Sequence, residues 1–482
     1  MTKFQVFLCV CGLLVTLTPA VRAEEAAVSV GSRREIFVDD LLIASLDNVR
    51  LALGTPVHVG PALAFDQPWE GRYCGYVTVF QDGNLYRMYY RGLPEAGRDG
   101  SDNEVTCYAE STDGIHWTRP ELDLFTVRDH AVNNVVLAGH APYSHNFSPF
   151  LNTRPGAPAD ERYLALAGTS ETGLTSFASA DGLHWRKLNE GIIKEGAFDS
   201  QNVAFWSESE GCYLCYFRTW SEGGFGGHRW ISRCTSEDFV TWSAPQVMDA
   251  GGTPPEHMYT NQTTPYYRAP HVYIALAARF MPERRVVSEA DARKLGIEGG
   301  YFKDCSDNVL MTSRGGNVYA RTFMEGFVRP GIGLENWTSR TNYPACGIVP
   351  TGDTEMSFYI QHNYGQPTAR LDRYSLRPDG FVSVRAGYDG GLFTTKPLLF
   401  TGSSLYLNFS TSAAGAIRVA LLHPDGSPIA GYGFEESAEI IGNMLDLPVQ
   451  WNGNTDISAL AGTPVCIQFQ MKDADLFAIQ FR

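Results

Sequence analysis

Six carboxylate residues are candidates for chemistry in this chain. They are Asp66, Glu70, Asp199, Glu256, Asp307 and Glu355. Two carboxyl groups in one site can divide acid–base work, because one stays protonated and donates a proton while the other stays ionised. We expect Asp199, followed by the polar residues 200–202, to be an ionised base, nucleophile or orienting acid. We expect Glu256 to be the proton donor, because the aromatic setting of His257 and Tyr259 raises a carboxyl pKa.

The other four carboxylates also have structural interpretations. Asp66 could cap a turn, and Glu70 could pair with Arg72 on the surface. Asp307 could shape the start of a hairpin, and Glu355 could be an ordinary loop acid after "TGDT". Contact with a substrate stays an alternative for each of the four.

Seven polar side chains in or near the same stretches could hydrogen-bond a substrate. They are His145, Asn146, Asn202, Arg218, His257, Asn261 and Arg321. A structural Ca²⁺ could use the carboxylates and amides, but no Asp/Asn loop with a terminal Glu marks a site, so we predict neither metal nor cofactor. "CYLC" has redox spacing, but residues three apart on a strand point to opposite faces. The chain has no Gly-x-Ser-x-Gly, P-loop or HExxH motif.

A repeated turn indicates how these residues are positioned. "STDGIHW" (residues 111–117) recurs as "SADGLHW" (179–185) and more loosely as "TSEDFVTW" (235–242). Asp-Gly favours a tight hairpin turn, and the tryptophan on the return strand would pack into a core. Recurrence about every 60 residues is typical of four-stranded units around an axis, a β-propeller. His116 and His184 are then exposed turn residues.

The sequence predicts an all-β chain with a five-bladed β-propeller followed by a β-sandwich. Five units fit within residues 73–387, and six shorter blades are the alternative. We place the propeller at 24–387 and the sandwich at 388–482, where strand-like alternation continues without the Asp-Gly-Trp turn. The innermost strands of a propeller gather around one axis, so the polar starts of these strands should line one pocket.

The N-terminus and the composition limit location and partners. Residues 1–23 combine Lys3, an apolar run and small residues before a cleavage site near Ala23, which is typical of a secretory signal peptide. We therefore expect a secreted or periplasmic protein, and no other stretch is apolar enough to span a membrane. The net charge of −15 argues against nucleic acid as a partner. Eight of the ten cysteines lie outside the signal segment, and buried free thiols are at least as consistent with their scatter as disulfides.

A secreted propeller with a C-terminal sandwich resembles the invertase- and levanase-like glycoside hydrolases and their arabinanase and xylosidase relatives. The resemblance is carried by the repeated turns, "FDSQNVAFW" (198–206), "EHMYTNQTTPYYRAPHVY" (256–273) and "MTSRGGNVYARTF" (311–323). It implies glycosidic bond cleavage on a plant or algal saccharide by two axial carboxylates, about 5–5.5 Å apart in retaining enzymes and about 6.5–9.5 Å apart in inverting ones. The Asn-Asp-Pro and Glu-Cys-Pro signatures of invertases are missing, so the resemblance does not extend to fructan specificity.

Three other functions stay open on the sequence. A non-catalytic propeller could use the same polar funnel to bind a glycan without turnover. A sialidase-like enzyme would need a tyrosine nucleophile and three arginines on a substrate carboxylate, and the candidates are Arg72, Arg218, Arg314 and Arg321. A polysaccharide lyase would need a base beside a substrate uronate, which Tyr259 with His257 could supply.

Overall fold

The computed structural model describes residues 26–482, which form strands and turns with very little helix. Five antiparallel sheets follow one another along the chain, and the innermost strands of successive sheets contact each other in a ring. This arrangement is a five-bladed β-propeller, so the predicted all-β class and blade number are confirmed and the six-bladed alternative is wrong. The predicted signal peptide, residues 1–23, lies outside the described residues.

Blades 1 to 3 each consist of four sequential strands, with the innermost strand first. Blade 1 comprises Gly75–Asp82, Leu85–Gly92, Val105–Ser111 and Val135–Leu137. Blade 2 comprises Ser148–Leu151, Tyr163–Thr169, Gly173–Ser179 and Arg186–Lys187. Blade 3 comprises Val203–Ser207, Cys212–Trp220, Arg229–Ser236 and Gln246–Val247. Their buried aliphatic and aromatic side chains pack between neighbouring sheets, which fixes the blades around the axis.

Blades 4 and 5 have interrupted innermost strands. Blade 4 comprises His257–Thr260 and Thr263–Tyr266, then Ala269–Met281 and Cys305–Ser313. Blade 5 comprises Tyr343–Pro344 and Val349–Gly352, then Glu355–His362, Arg370–Leu376 and the N-terminal strand Val57–Ala64. The ring is therefore closed by a strand that comes from before blade 1.

The remaining strands form one eight-stranded sheet and a small parallel pair. The sheet comprises Arg34–Ile36, Ile43–Asp47, Val49–Leu53, Val382–Ala386, Gly391–Thr395, Leu405–Leu422, Asn443–Pro448 and Cys466–Phe481. The parallel pair is Val28–Gly31 with Leu398–Phe400. N-terminal strands that the sequence assigned to the propeller thus pair with the C-terminal strands. Pairing between strands so far apart in the chain has no local sequence signal. The division at 387/388 into propeller and sandwich stays a prediction.

The repeated turn joins each blade to the blade before it. In the first copy, Asp113 Oδ1 accepts hydrogen bonds from the amides of Ile115 and His116, both at 2.8 Å. Tyr359 of blade 5 donates to the carbonyl of Gly114 and packs edge-on against Trp117. In the second copy, Tyr89 of blade 1 donates to the carbonyl of Gly182 at 2.9 Å. The motif is structural, as expected.

Few helices interrupt this pattern. The one α-helix of residues 26–482 is Glu289–Lys294, whose preceding Ser288 accepts a hydrogen bond from the amide of Asp291. This serine-capped helix lies in the insertion between the last two strands of blade 4. Short 3₁₀ turns occur at Ala159–Glu161, Leu334–Asn336 and Ser458–Leu460. Within the described part of the chain, no helix has the length and apolar character needed to cross a membrane. Seven cysteines are free thiols: Cys74, Cys107, Cys212, Cys215, Cys234, Cys305 and Cys346.

Candidate active site

The starts of the innermost strands meet at a polar pocket on the propeller axis, here called the axial pocket. Its main lining residues are Tyr76, Arg91, Asp99, Asp199, Tyr259, Tyr301, Arg340 and Tyr364. Asp99 and Asp199 also line a wider cleft of about 630 Å³ between blades 1, 2 and 3. The pocket has two carboxylates, two guanidinium groups and four phenol rings, so it can bind a polar ligand and exchange protons with it.

Asp199 lies immediately before the innermost strand of blade 3. Its side chain is 32 % exposed and forms an ion pair with the buried Arg218. The polar residues after Asp199 have other partners. Asn202 donates to the carbonyl of Ser200 at 3.0 Å, and Gln201 donates to the hydroxyl of Thr78 at 2.8 Å. The carboxylate is therefore kept ionised by a guanidinium group rather than by its own neighbours in sequence, which suits a base or a nucleophile and not a proton donor.

Tyr259 lies in the first inner segment of blade 4 and is buried. The guanidinium carbons of Arg218, Arg229 and Arg340 lie 4.7, 5.3 and 5.7 Å from the centre of its ring. Burial raises the pKa of the phenol, but the three positive charges outweigh this effect and lower the pKa of Tyr259 to about 8. A phenol with this pKa is mostly protonated at neutral pH and still gives up its proton easily, as a general acid or base requires.

Three non-glycine residues in or near the axial pocket have positive φ angles. Tyr76 and Arg340, which both line it, have φ angles of 51° and 59°. Asn146, at the start of the innermost strand of blade 2, has φ of 52°. Side chains other than glycine rarely adopt this left-handed region, and a surrounding structure that holds them there is typical of functional sites.

Blade 2 contributes a buried cluster beside the pocket. His145 Nδ1 lies 2.7 Å from Glu104, whose other oxygen accepts from the amide of Asn146 at 2.9 Å. Asn146 in turn accepts a hydrogen bond from Arg91 Nη1 at 3.0 Å. The histidine and asparagine predicted to contact a substrate thus orient Arg91, which faces the pocket.

Glu256 and Asp307 lie in a separate cluster of blade 4. Arg279 bonds Glu256 at 2.8 Å and Asp307 at 2.6 Å, and Arg321 bonds Glu256 at 2.8 Å. Burial raises the pKa of Glu256, but the two guanidinium groups lower it below the usual value. The expectation of a raised pKa is therefore wrong, because the predicted aromatic neighbours are outweighed by arginines distant in sequence. None of these four residues lines the axial pocket.

The three remaining predicted carboxylates also lie outside the axial pocket. Asp66 is exposed and accepts from Gln67, while Glu70 is buried and accepts from Tyr90 and Arg119. Glu355 pairs with Arg373 at 2.6 Å, at the opposite end of blade 5 from the pocket-facing strand start. The innermost strand of blade 5 is interrupted and begins with only two residues, Tyr343–Pro344, which the sequence pattern does not reveal. This is why Glu355 was selected and Arg340 was missed.

The remaining predicted binding residues have mostly structural partners. Asn261 accepts from the amide of Thr263 at 3.0 Å, in the interruption of the blade 4 strand. His257 accepts from the amide of Arg229 at 3.2 Å, and burial followed by that guanidinium lowers its pKa. The side chains of Arg321 and Asn202 each donate a hydrogen bond to a backbone carbonyl. Among the predicted substrate-binding set, Arg218 is the residue in direct contact with the pocket carboxylate.

Several pocket residues were not predicted from the sequence. They are Tyr76, Arg91, Asp99, Tyr301, Arg340 and Tyr364. The one local signal that could have identified a pocket residue was the charged Arg91 near the end of the apolar strand "LYRMYYRG". Of the arginines considered for carboxylate recognition, Arg314 instead pairs with Glu35 and Asp39, and Arg72 pairs with Glu298.

One group of side chains has the composition of a metal site. The ligand atoms of His58, His362 and Asp372 lie within 4.8 Å of one another in blade 5. Both oxygens of Asp372 already accept from Arg370, at 2.8 and 3.2 Å. The carboxylate charge is thus compensated within the protein, and no member of this group lines the axial pocket.

Comparison with known proteins gives similarity of fold at low identity. No family model matches the chain, and no curated protein matches it significantly. A solved structure described as a glycoside hydrolase is 13 % identical with a TM-score of 0.45, covering 69 % of this chain and 95 % of that one. The β-1,2-mannobiose phosphorylase from Listeria innocua is 10 % identical with a TM-score of 0.42, covering 67 % and 96 %. An N-acetylgalactosamine deacetylase from F. plautii is 13 % identical with a TM-score of 0.39, covering 68 % and 95 %. Likeness at this level carries no conclusion about activity or substrate.

Proposed function

We propose that this protein is an exported glycan-active enzyme that cleaves a glycosidic bond in the axial pocket. The observation that carries the proposal is the pairing of two unlike proton-exchanging groups in one aromatic pocket. Asp199 is ionised and partly exposed, and Tyr259 has a lowered pKa; both contact Arg218. The partly exposed phenol rings of Tyr76 and Tyr301 line the pocket, and a sugar ring can pack against rings of this kind.

The groups divide the chemistry of hydrolysis between them. Asp199 acts as the nucleophile or as the base that activates water, because Arg218 stabilises its negative charge. Tyr259 donates its proton to the leaving oxygen, and the nearby guanidinium groups stabilise the phenolate that remains. The predicted signal peptide supports export, and the predicted plant or algal source of the saccharide remains part of the proposal.

The test is turnover of a panel of polysaccharides and aryl glycosides, both neutral and acidic, by the purified protein. Wild type should release reducing sugar from at least one member, and Asp199→Asn and Tyr259→Phe should each lower kcat by about 10²–10⁴-fold. Tyr343→Phe is the matched control, because its ring lies 5.0 Å from that of Tyr259 but does not line the pocket. Saturable glycan binding without turnover by wild type would instead show a binding propeller.

A further inference from the structure

Guanidinium groups in and beside the axial pocket have no direct carboxylate partner among residues 26–482, although Glu104 and Asp99 act on the charge of Arg91 at longer range. Within residues 26–482, Arg91, Arg229 and Arg340 form no ion pair. Arg91 is buried, and Arg340 and Arg229 are partly buried. A charge taken out of water without a partner is costly, so three such groups around one tyrosine need a compensating feature.

Arg340 uses little of its hydrogen-bonding capacity. Its guanidinium group has one hydrogen bond within the described residues, from Nη1 to the hydroxyl of Tyr301 at 3.3 Å. It stacks among the rings of Tyr259, Tyr301 and Tyr364 at 5.0 to 5.7 Å. A guanidinium group has five N–H donors in a planar fork that matches a carboxylate, so most of its capacity is unused. The φ of 59° shows that the backbone is held in a strained form to place it there.

Arg91 and Arg218 have unused donors next to the same pocket. Arg91 uses Nη1 and Nη2 on Asn146, Tyr73 and Tyr364, while its Nε has no partner. Arg218 binds Asp199 through Nη2, while its Nε and Nη1 have no partner. Buried donors without acceptors are rare in folded proteins, and several around one cavity indicate that a ligand supplies the acceptors.

The carboxylates of the pocket do not fill this role. Asp199 is engaged by Arg218, and the side chain of Asp99 is 57 % exposed with its nearest ionic neighbour His145 at 3.9 Å. Contact with aromatic rings stabilises a cation only modestly, which offsets part of the cost of desolvation. An anion bound between Arg91 and Arg340 would complete the site.

We infer that the axial pocket binds an oxyanion carried by the glycan itself, the carboxylate of a uronic acid residue, through Arg340 and Arg91. This inference rests on the proposed function, because it assigns the substrate class of the same pocket. The axial pocket, about 50 Å³, can hold a carboxylate against the guanidinium fork, and the adjoining cleft of about 630 Å³ has room for the sugar ring that carries it. The inference also predicts that the enzyme prefers the acidic members of the substrate panel to the neutral ones.

The experiment compares matched ligands by calorimetry on the full mature chain. The affinity for galacturonate is compared with that for galactose, and the affinity for glucuronate with that for glucose. Inorganic phosphate is measured alone. Each ligand is titrated into wild type, Arg340→Gln and Arg340→Lys. We expect each uronate to bind wild type about tenfold or more tightly than its neutral partner, which corresponds to one charge-assisted hydrogen-bonded pair. Arg340→Gln should reduce that ratio to within about twofold, and Arg340→Lys should restore it only in part, because the fork is lost.

The control is Arg33→Gln, an exposed arginine in the eight-stranded sheet region whose loss should change neither ratio. Equal binding of uronates and neutral sugars to wild type would overturn the inference, as would a uronate preference that survives in Arg340→Gln. Arg340-dependent binding of phosphate without a uronate preference would also overturn it, in favour of a free anion. Cleavage of neutral glycans with no uronate preference refutes the inference alone, whereas uronate binding without bond cleavage refutes the proposed function alone.

Discussion

Asp199 and Tyr259 are connected through one guanidinium group. Arg218 forms the ion pair with Asp199 and lies 4.7 Å from the ring of Tyr259. The same guanidinium group pairs with the carboxylate of Asp199 and, after Arg340, contributes to the lowered pKa of the Tyr259 phenol. At the scale of single residues, this shared arginine explains how two acids in one pocket can hold different protonation states at neutral pH.

The titration of Tyr259 is a direct consequence. We expect the difference in ultraviolet phenolate absorbance between wild type and Tyr259→Phe to show one titration with a pKa of about 8. The folded-state pKa lies below the 10.0 of an ordinary tyrosine, so the unfolded chain binds more protons between these two pH values. The free energy of unfolding of wild type relative to Tyr259→Phe should therefore rise by roughly 2 kcal/mol between pH 8 and 10, and this contribution is lost as pH falls through 8. A difference titration at or above pH 10 would contradict the arginine effect.

At the scale of elements, the closure between blades 5 and 1 depends on a close backbone approach. The amide of Val79 donates to the carbonyl of Cys346 at 2.7 Å, and Cys346 donates to the carbonyl of Val77 at 2.8 Å. Gly347 follows with φ of 118°, and a Cβ there would lie 1.8 Å from the carbonyl oxygen of Val79. No other residue type fits this position without moving a blade.

Gly347→Ala should thus lower the free energy of unfolding by about 3 kcal/mol or more, because both the clash and the positive φ act against it. Gly352→Ala is the matched control in the same blade, since its Cβ would meet only Glu355 Cβ at 3.9 Å. Chemical denaturation of the three proteins measures the effect. Equal stability of the two variants would show that the blade 5 to blade 1 contact is not a fixed junction.

Local sequence signals were sufficient to predict the blades that contain the repeated turn and insufficient to predict the blades that lack it. "STDGIHW" and "SADGLHW" predicted blades 1 and 2 because the turn residues are contiguous in the chain. Asp199 was predicted because the polar residues 200–202 follow it, and Tyr259 was considered only as an aromatic neighbour of Glu256 and as a base of a lyase. Arg340 precedes a strand of two residues, Tyr343–Pro344, which alternation patterns do not detect. The closing strand Val57–Ala64 pairs with residues more than 300 positions away, so its partner had no local signal.

At the scale of the whole molecule, the N-terminal residues connect the propeller to the eight-stranded sheet. Strand Arg34–Ile36 pairs with Cys466–Phe481, and Val49–Leu53 pairs with Val382–Ala386. Val57–Ala64 then crosses to the edge of blade 5. The propeller and the eight-stranded sheet are consequently connected through both the N-terminal and the C-terminal residues. A cut at residue 387 would separate strands that are hydrogen bonded to each other.

A fragment of residues 26–387 should therefore not fold as an independent propeller. Its strand Arg34–Ile36 loses its partner, and buried Ile36 loses its packing against Ala478. We expect the fragment to be insoluble or to unfold at a Tm well below that of residues 26–482, as measured by circular dichroism. A soluble fragment with the full-length Tm would show instead that the propeller is a separate domain with the boundary predicted from the sequence.

The most direct test of the axial pocket as the catalytic centre compares Asp199→Asn with Glu256→Gln on one substrate cleaved by wild type. Asp199 lines the pocket, whereas Glu256 is held by Arg279 and Arg321 outside it. We predict that Asp199→Asn lowers kcat by about 10³-fold and that Glu256→Gln keeps kcat within about tenfold of wild type, with any larger effect confined to stability. The reverse order of effects, with Asp199→Asn active and Glu256→Gln inactive but folded, would contradict the assignment.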